Sequence, residues 1–294
     1  MHLSNHTEID QSKRNSFFSI TIHQLAKNKI ALVCLGYIII LLLMVIFAPL
    51  VTKYDPTEMN ADVARQPPNA DHFFGTDEGG RDVYSRVIYG GRISLRVGFI
   101  STALTVLIGL PLGMIAGFYG GMPQFVILRL MDLLMTFPGI LLAMVVVAVL
   151  GRGVDQVMVA VGVAHVPTFI RIVNSAVISV KENDYITAAK SVGARDLHMV
   201  IRHIFPNILA PIIVIITLYV ASGLLSASSL SFLGLGAQPP SPEWGAMISR
   251  GRYAISNSPW LITFPGLAIA SVVISFNILG DALRDALDPY IRAR

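Results

Sequence analysis

Long apolar runs separated by polar segments recur along the whole chain. The first run, 30–51, has no charged residue and would be roughly 33 Å long as a helix at about 1.5 Å per residue, which is enough to cross a bilayer. The pattern predicts an all-α membrane protein with six transmembrane helices. The five further runs are 97–119, 133–151, 157–180, 207–230 and 260–279.

The polar segments between these runs divide the chain. We expect a cytoplasmic N-terminal tail at 1–29, an extracytoplasmic loop at 52–93, a unit of five further helices at 94–283 and a cytoplasmic C-terminal tail at 284–294. Lys and Arg are in mild excess in the segments that this arrangement leaves inside, which favours two cytoplasmic termini. The tail has two open interpretations, a short helix on the membrane surface and a partly ordered segment. Its interleaved apolar residues are Phe17, Phe18, Ile20, Ile22 and Leu25.

The fourth run is the weakest, because Arg171 interrupts it near its C-terminal end. We expect this side chain to reach the cytoplasmic interface. No Asp or Glu lies in the middle of any predicted span, whereas an ion-coupled carrier is expected to need a carboxylate in the membrane. A secondary transporter or channel that works alone is therefore the alternative and not the first interpretation.

Composition agrees with a membrane protein. Of 294 residues, 54% are hydrophobic and only 14% are charged, and the mean hydropathy is +0.65. Membrane lipid is thus the expected surrounding of most of the chain. The net charge of +4 comes from scattered basic residues, which argues against a nucleic-acid partner.

The chain lacks the motifs of several catalysts. No Lys follows a Gly, so the phosphate-binding loop of an ATPase is absent. His198 and His203 lie in a basic segment, and no Cys/His spacing indicates a metal site. No nucleophilic serine motif is present either. We therefore expect no enzyme activity, no catalytic residue, no metal and no cofactor in this chain.

The polar segment that begins TAAKSVGARDLHMVIRHIFPN at Thr187 has apolar residues at helical spacing. Gly193 in its middle disfavours one continuous helix and predicts a turn or close approach between two short helices. Pro206 suits the first turn of the next span. Such a hairpin is joined to two membrane helices and could therefore transmit a movement of a cytoplasmic partner to them.

This segment resembles the Glu-Ala-Ala loop of bacterial ABC-importer permeases, with Ala188, Ala189, Gly193 and Pro206 at the family spacing. Thr187 replaces the usual Glu, which puts a salt bridge at that position in doubt. The resemblance implies that the loop, at about 184–206, docks into a groove of an ATP-binding subunit. The coupling residues would be Thr187, Ala188, Ala189, Gly193, Ala194 and Pro206.

Three further stretches resemble the dipeptide/oligopeptide/nickel subfamily and its second, C-type permease. They are FGTDEGGRDVYSRVIYGGRISL, LSFLGLGAQPPSPEWGAMI and GDALRDALDP. The resemblance implies a type I ABC importer transmembrane domain in the bacterial inner membrane. It also implies a homologous permease partner, two subunits that bind ATP and Mg, and an extracytoplasmic binding protein. Peptides are the first choice of substrate, and nickel, a metal chelate or metallophore, and glutathione remain open.

Two outer segments carry candidate contacts. Asp77, Arg81 and Asp82 either meet the binding protein or pair locally and fix the helix that leads to the second span. Glu243 and Trp244 either contact the binding protein or anchor the chain at the outer interface.

Two polar residues fall inside predicted spans. His165 and Asn277 either line the pathway or form hydrogen bonds between helices. Small residues such as Gly109, Gly113 and Gly117 permit close helix packing, as a pore wall or a subunit interface requires.

Overall fold

The structure, a computed structural model, describes residues 25–287. In that range the regular secondary structure is helical, apart from one isolated bridge between Thr76 and Asp82. The apolar positions proposed for the tail, from Phe17 to Ile22, lie outside the described residues, as do the last residues of the C-terminal tail.

The described residues contain five or six candidate membrane spans. Five helices are long and apolar enough to span a bilayer, and a pair of helices bent by 89° is the sixth if the pair is counted as one span. The predicted all-α class is confirmed. The helices are α1 Lys29–Ile46, α2 Ala48–Val51, α3 Val83–Tyr119, α4 Gly121–Met135, α5 Gly139–Leu150, α6 Val154–Lys181, α7 Asp184–Ser191, α8 Asp196–Met199, α9 Phe205–Phe232, α10 Trp244–Gly251 and α11 Trp260–Leu287.

The third span is predicted as one helix over 133–151, and this prediction is wrong: the helical structure begins earlier and is divided in two. The bent pair α4 and α5 replaces it, with the break at Thr136–Pro138, where Pro138 lacks an amide donor and Gly139 follows. The residues between the second and third predicted runs, 120–132, belong almost entirely to helix α4.

The second span begins earlier than predicted. Helix α3 starts at Val83 and not at Val97, because the Asp82 carboxylate caps it by accepting a hydrogen bond from Ser85 N at 2.7 Å. The segment predicted to be an extracytoplasmic loop, 52–93, is therefore a structured segment, 52–82, that leads into a helix of 37 residues. We call residues 52–82 the outer segment.

The first helix packs against the last. Ala31, Cys34, Ile38 and Val45 of α1 share one core cluster with residues of α9 and α11. At the end of α1, Arg92 donates hydrogen bonds to the carbonyls of Val45 and Ile46, at 2.7 and 2.8 Å. These carbonyls lie at a helix terminus, where intrahelical partners run out.

A row of glycines lets α3 and α6 approach closely. The row is spaced by four residues, so its members share one face of α3. A side chain at any of them would overlap the facing residue of α6. Gly109, Gly113 and Gly117 face Phe169, Val173 and Val177.

Candidate functional site

The segment that resembles the Glu-Ala-Ala loop forms a hairpin of two short helices, α7 and α8. Gly193 has φ +85° and ends α7: its N–H donates to Lys190 O at 3.0 Å, and Ala194 N donates to Ala189 O at 3.1 Å. This pair of bonds is the Schellman arrangement, in which glycine is favoured after a helix. The predicted turn is confirmed. A close approach is not the reason for it, since a Cβ at Gly193 would meet nothing within 4 Å.

The hairpin is anchored by apolar side chains on one face. Ile186, Met199 and Ile204 are buried and pack in a cluster with α6 and α9 residues. At the same end of the molecule, Lys181 Nζ donates to Phe118 O at 2.6 Å and so joins the end of α6 to the end of α3. These contacts fix the hairpin to the spanning helices. We call residues 184–204 the coupling hairpin.

The second half of the coupling hairpin is continuous with a spanning helix. Helical structure runs from Asp196 to Phe232 through a π-helix at Val200–Ile204. Pro206 is in the first turn of the α-helix Phe205–Phe232, as predicted, although helical structure of a different kind precedes it. Proline lacks the N–H that an α-helix would use there, and the wider turn precedes it directly.

The outward face of the coupling hairpin contains some of the predicted coupling residues and also exposed apolar residues that the sequence did not indicate. Thr187, Ala188 and Gly193 are exposed, whereas Ala189 and Ala194 are partly buried. Three large apolar side chains also face outward, although large apolar groups usually seek burial. They are Val192, Leu197 and Ile201, with exposed fractions of 85%, 70% and 59%. Exposure could not be read from their apolar character.

In the outer segment, the charges predicted to be a partner surface pair locally. Asp77 accepts a hydrogen bond from Arg81 Nε at 2.7 Å. Asp82 caps α3 and also contacts His72 Nδ1 at 2.9 Å. Asp77, Arg81 and Asp82 are all buried, so the alternative of local pairing that fixes the next helix is confirmed. Their burial argues against direct contact with a binding protein.

Arg86, which the sequence did not single out, joins the two outer parts of the chain. It is buried, and its guanidinium donates to Pro56 O at 2.6 Å and to Pro240 O at 3.3 Å. Its Nε also lies 3.4 Å from the Asp77 carboxylate. One side chain therefore holds together the outer segment, the start of α3 and the loop between α9 and α10. The only hint in the sequence was a charge in the first turn of a helix.

Glu243 and Trp244 are buried, which corrects the expectation that they face the outer interface or a binding protein. Glu243 caps α10 by accepting hydrogen bonds from Gly245 N at 3.0 Å and Ala246 N at 2.8 Å. Burial raises the pKa of Glu243 above its ordinary value, against these hydrogen bonds, which lower it. Trp244 Nε1 donates to Val87 O at 2.8 Å, so the indole closes the packing between α10 and α3.

The two polar residues predicted inside spans differ in surroundings. His165 Nε2 lies 3.5 Å from Ser222 Oγ of α9, and its ring borders a cavity of about 80 Å³ beside the break before α5. Its Nδ1 is buried, with no hydrogen-bond partner among the described residues. Asn277 is exposed and forms no side-chain hydrogen bond within residues 25–287. Of the two residues, only His165 forms the predicted hydrogen bond between helices, and this bond is long at 3.5 Å.

The exposed face of α6 is polar. Between Ala160 and Ser179, every exposed residue is polar, at a spacing of three to four residues along one helix face. We call this set the polar row. Its members are Thr168, Arg171, Ser175 and Ser179.

The sequence predicts that Arg171 reaches the cytoplasmic interface. In the structure it instead forms an ion pair with Asp132 of α4. Arg129 Nη1 lies 3.4 Å from the same carboxylate. Asp132 also corrects the expectation that no carboxylate lies within a span, because it is inside the bent pair and not at its border. In the described part of the chain, no group of three or more His, Cys, Asp or Glu residues is placed to hold a metal ion.

Comparison with known families matches most of the chain. Residues 109–293 match the family described as binding-protein-dependent transport system inner membrane component. Residues 16–68 match the N-terminal TM domain of oligopeptide transport permease C. The second match covers α1 and the beginning of the outer segment, and the first covers the coupling hairpin and the polar row.

Individual relatives align over nearly their whole length. The dipeptide transport system permease protein of Alkalihalophilus pseudofirmus is 46% identical over 270 residues, which are 92% of this chain and 89% of the relative. The glutathione transport system permease protein of Pectobacterium atrosepticum is 42% identical, over 89% of this chain and 87% of the relative.

A solved structure shares the fold. A chain of the methionine ABC transporter MetNI, in an inward-facing conformation, superposes with a TM-score of 0.58 and 18% identity, over 68% of this chain and 96% of that one. At that identity the likeness concerns the fold alone, the transmembrane domain of a type I ABC importer. The family matches and the relatives establish that the chain belongs to the binding-protein-dependent transport system inner membrane components and is an ABC-importer permease of the C type.

Proposed function

We propose that this chain forms half of the translocation pathway of an ATP-driven importer of di- or oligopeptides. A homologous permease would supply the other half, two ATP-binding subunits would hold ATP and Mg, and an extracytoplasmic binding protein would deliver the substrate. The complex would lie in the bacterial inner membrane with both termini of this chain in the cytoplasm. Relatives named as dipeptide and glutathione permeases support a peptide or peptide-like substrate.

The coupling hairpin is the observation that carries the proposal. Its inner face is fixed by Ile186, Met199 and Ile204, and its outer face presents Val192 and other apolar side chains to a partner. Since α8 continues into α9, a partner that moves the hairpin also moves a spanning helix. Closure of an ATPase pair on binding ATP would in this way reopen the pathway toward the other face.

The test is uptake of a labelled dipeptide by the complete complex in proteoliposomes. We expect Gly193→Asp to abolish dipeptide-stimulated ATP hydrolysis and uptake while membrane insertion stays intact. Gly193→Asn is the matched control, because Asn also tolerates positive φ but brings no charge. Normal ATP-driven uptake by the Asp variant would refute the coupling role, and ATP-independent transport by the isolated chain would refute the proposed function.

A further inference from the structure

The Asp132–Arg171 ion pair joins two candidate membrane-spanning segments, the bent pair α4–α5 and helix α6. At about 1.5 Å per residue, Arg171 is roughly 15 Å along α6 from Lys181 and roughly 26 Å from Val154. Asp132 lies one turn before the end of α4, where the span bends by 89°. Arg171 is therefore near the middle of α6, and Asp132 is near the middle of the bent pair taken as one segment.

The pair is not enclosed by its own chain. The Arg171 side chain is 48% exposed and that of Asp132 is 35% exposed. Charges at this depth are costly in lipid, so such residues face a protein interior or a water-filled passage. Arg171 belongs to the polar row, whose hydroxyl groups extend along α6 on the same side. A continuous row of this kind suits an aqueous wall better than a lipid contact.

The chemistry of the pair matches a zwitterion. A guanidinium binds a carboxylate through parallel hydrogen bonds, and a carboxylate accepts hydrogen bonds from an ammonium group. Arg129 lies 3.4 Å from Asp132, so the carboxylate keeps a cationic neighbour when Arg171 turns to a ligand. The usual penalty for leaving a charge without a partner is thereby reduced. A contact that exchanges in this way binds weakly, as a passage requires.

We propose that Asp132 and Arg171 form a substrate-contacting site in the pathway that takes the amino and carboxylate groups of a zwitterionic peptide. The inference rests on the proposed function, because it assumes that peptides pass along this face. It assigns the polar row of α6 and the end of α4 to this chain's half of the passage.

The decisive experiment exchanges the two charges in the complete complex. The double variant Asp132→Arg/Arg171→Asp restores an ion pair but reverses its direction relative to a bound peptide. We expect dipeptide uptake roughly tenfold or more below the unmodified complex in this variant, and also in Arg171→Gln. Assembly with the ATP-binding subunits should be unchanged, and the melting temperature should fall only slightly, because the arginine introduced at position 132 lies near Arg129 at a partly exposed site. Restoration of uptake to the unmodified rate by the exchange would show a merely structural pair and overturn the proposal.

The chain contains a matched control for this exchange. Arg96 and Asp155 form another exposed Arg–Asp pair between two helices, at 3.4 Å, with side-chain exposures of 61% and 75%. It joins α3 and α6 near the outer-segment end of α6 and lies outside the proposed site. We expect Arg96→Asp/Asp155→Arg to transport at the unmodified rate. An equal loss in both exchanged variants would count against a specific role of Asp132 and Arg171.

A labelling experiment tests the site if the exchanged variant fails to assemble. With Cys34, the only cysteine, replaced by Ser, Thr168→Cys places a thiol one turn from Arg171. We expect a membrane-impermeant thiol reagent to label it during turnover, and saturating dipeptide with binding protein to slow the labelling. Absence of labelling, or labelling unaffected by peptide, would refute the proposal.

The same vesicles separate the two claims. If the unmodified complex takes up no dipeptide, the proposed function fails. If it takes up dipeptide and the exchanged variant does so equally well, only the inference about Asp132 and Arg171 fails.

Discussion

The packing of α3 on α6 predicts that one added methyl group has opposite effects at two glycines of the chain. A Cβ built on Gly113 lies 2.6 Å from Val173 Cβ and 2.9 Å from Ile170 O, whereas optimal carbon contacts are about 3.5–4.0 Å apart. The two helices must therefore separate by roughly 1 Å to admit alanine. A Cβ on Gly36, inside α1, meets nothing within 4 Å.

The net effect follows from two opposing contributions. Overpacking of a tight contact costs about 1–3 kcal/mol. Alanine is better than glycine in a helix by about 1 kcal/mol. Gly113→Ala should therefore destabilise the protein by about 0–2 kcal/mol, and Gly36→Ala should stabilise it by up to about 1 kcal/mol. The difference between the two variants is about 1–3 kcal/mol.

The assay is thermal unfolding of the purified complex in detergent, followed by loss of the monodisperse peak in size-exclusion chromatography. Gly113→Ala should melt below the unmodified protein, and Gly36→Ala at or above it. Gly117→Ala should behave like Gly113→Ala, since its Cβ would lie 2.7 Å from Val177 Cβ. If Gly113→Ala melts as high as Gly36→Ala, the glycine row does not set the distance between α3 and α6.

Three further predictions concern the ends of the helices. Arg86→Met should lower stability by about 3 kcal/mol or more, because it leaves the carbonyls of Pro56 and Pro240 without their donor and removes one of the two arginines that contact Asp77. Arg96→Met, at an exposed pair, should cost under about 1 kcal/mol in the same melting assay, and equal losses would contradict this. Burial raises the pKa of Glu243 in the folded protein above its value in the unfolded chain, so the folded state loses stability as the pH rises and Glu243 must ionise. Between pH 4.5 and 8, the melting temperature of the unmodified protein should therefore fall relative to that of Glu243→Gln. Parallel melting profiles would refute the raised pKa. Val192→Ser should leave the melting temperature unchanged but weaken copurification of the ATP-binding subunit, and unchanged copurification would remove this residue from the docking face.

Local apolar character predicted the spans well because hydropathy is a property of neighbouring residues. The bent pair is the exception, because hydropathy alone predicts a single helix over the apolar run 133–151. The sequence did contain the signal, a Pro–Gly pair at 138 and 139, which interrupts a helix wherever nothing else supplies the missing hydrogen bond. The Pro–Gly pair therefore predicts two shorter helices in place of one.

Contacts between distant residues explain most of what sequence reasoning missed at the candidate site. Arg171 and Asp132 are 39 residues apart, and Arg86 reaches a carbonyl 154 residues away. No periodic pattern links such positions, and each arginine alone fits an exposed interface residue equally well. Trp244 shows the same limit, since an indole suits both a membrane interface and a buried core, and only the position of Val87 O decides between them.

The coupling hairpin and the polar row are connected without an intervening flexible loop. Helix α6 carries Arg171 in its middle and ends at Lys181, two residues before the N-cap of α7. On the other side of the hairpin, the rod from Asp196 to Phe232 carries Ser222, which contacts His165 of α6. In the proposed mechanism, a force on the hairpin is therefore applied both to α6, which carries the polar row, and to α9. Helix α4 contacts α6 at Asp132 and also nearer its own start, where Gln124 Nε2 donates to Asn174 Oδ1 at 3.2 Å. We therefore expect a movement of α6 to reach α4 through both contacts, the Asp132–Arg171 pair being one of them.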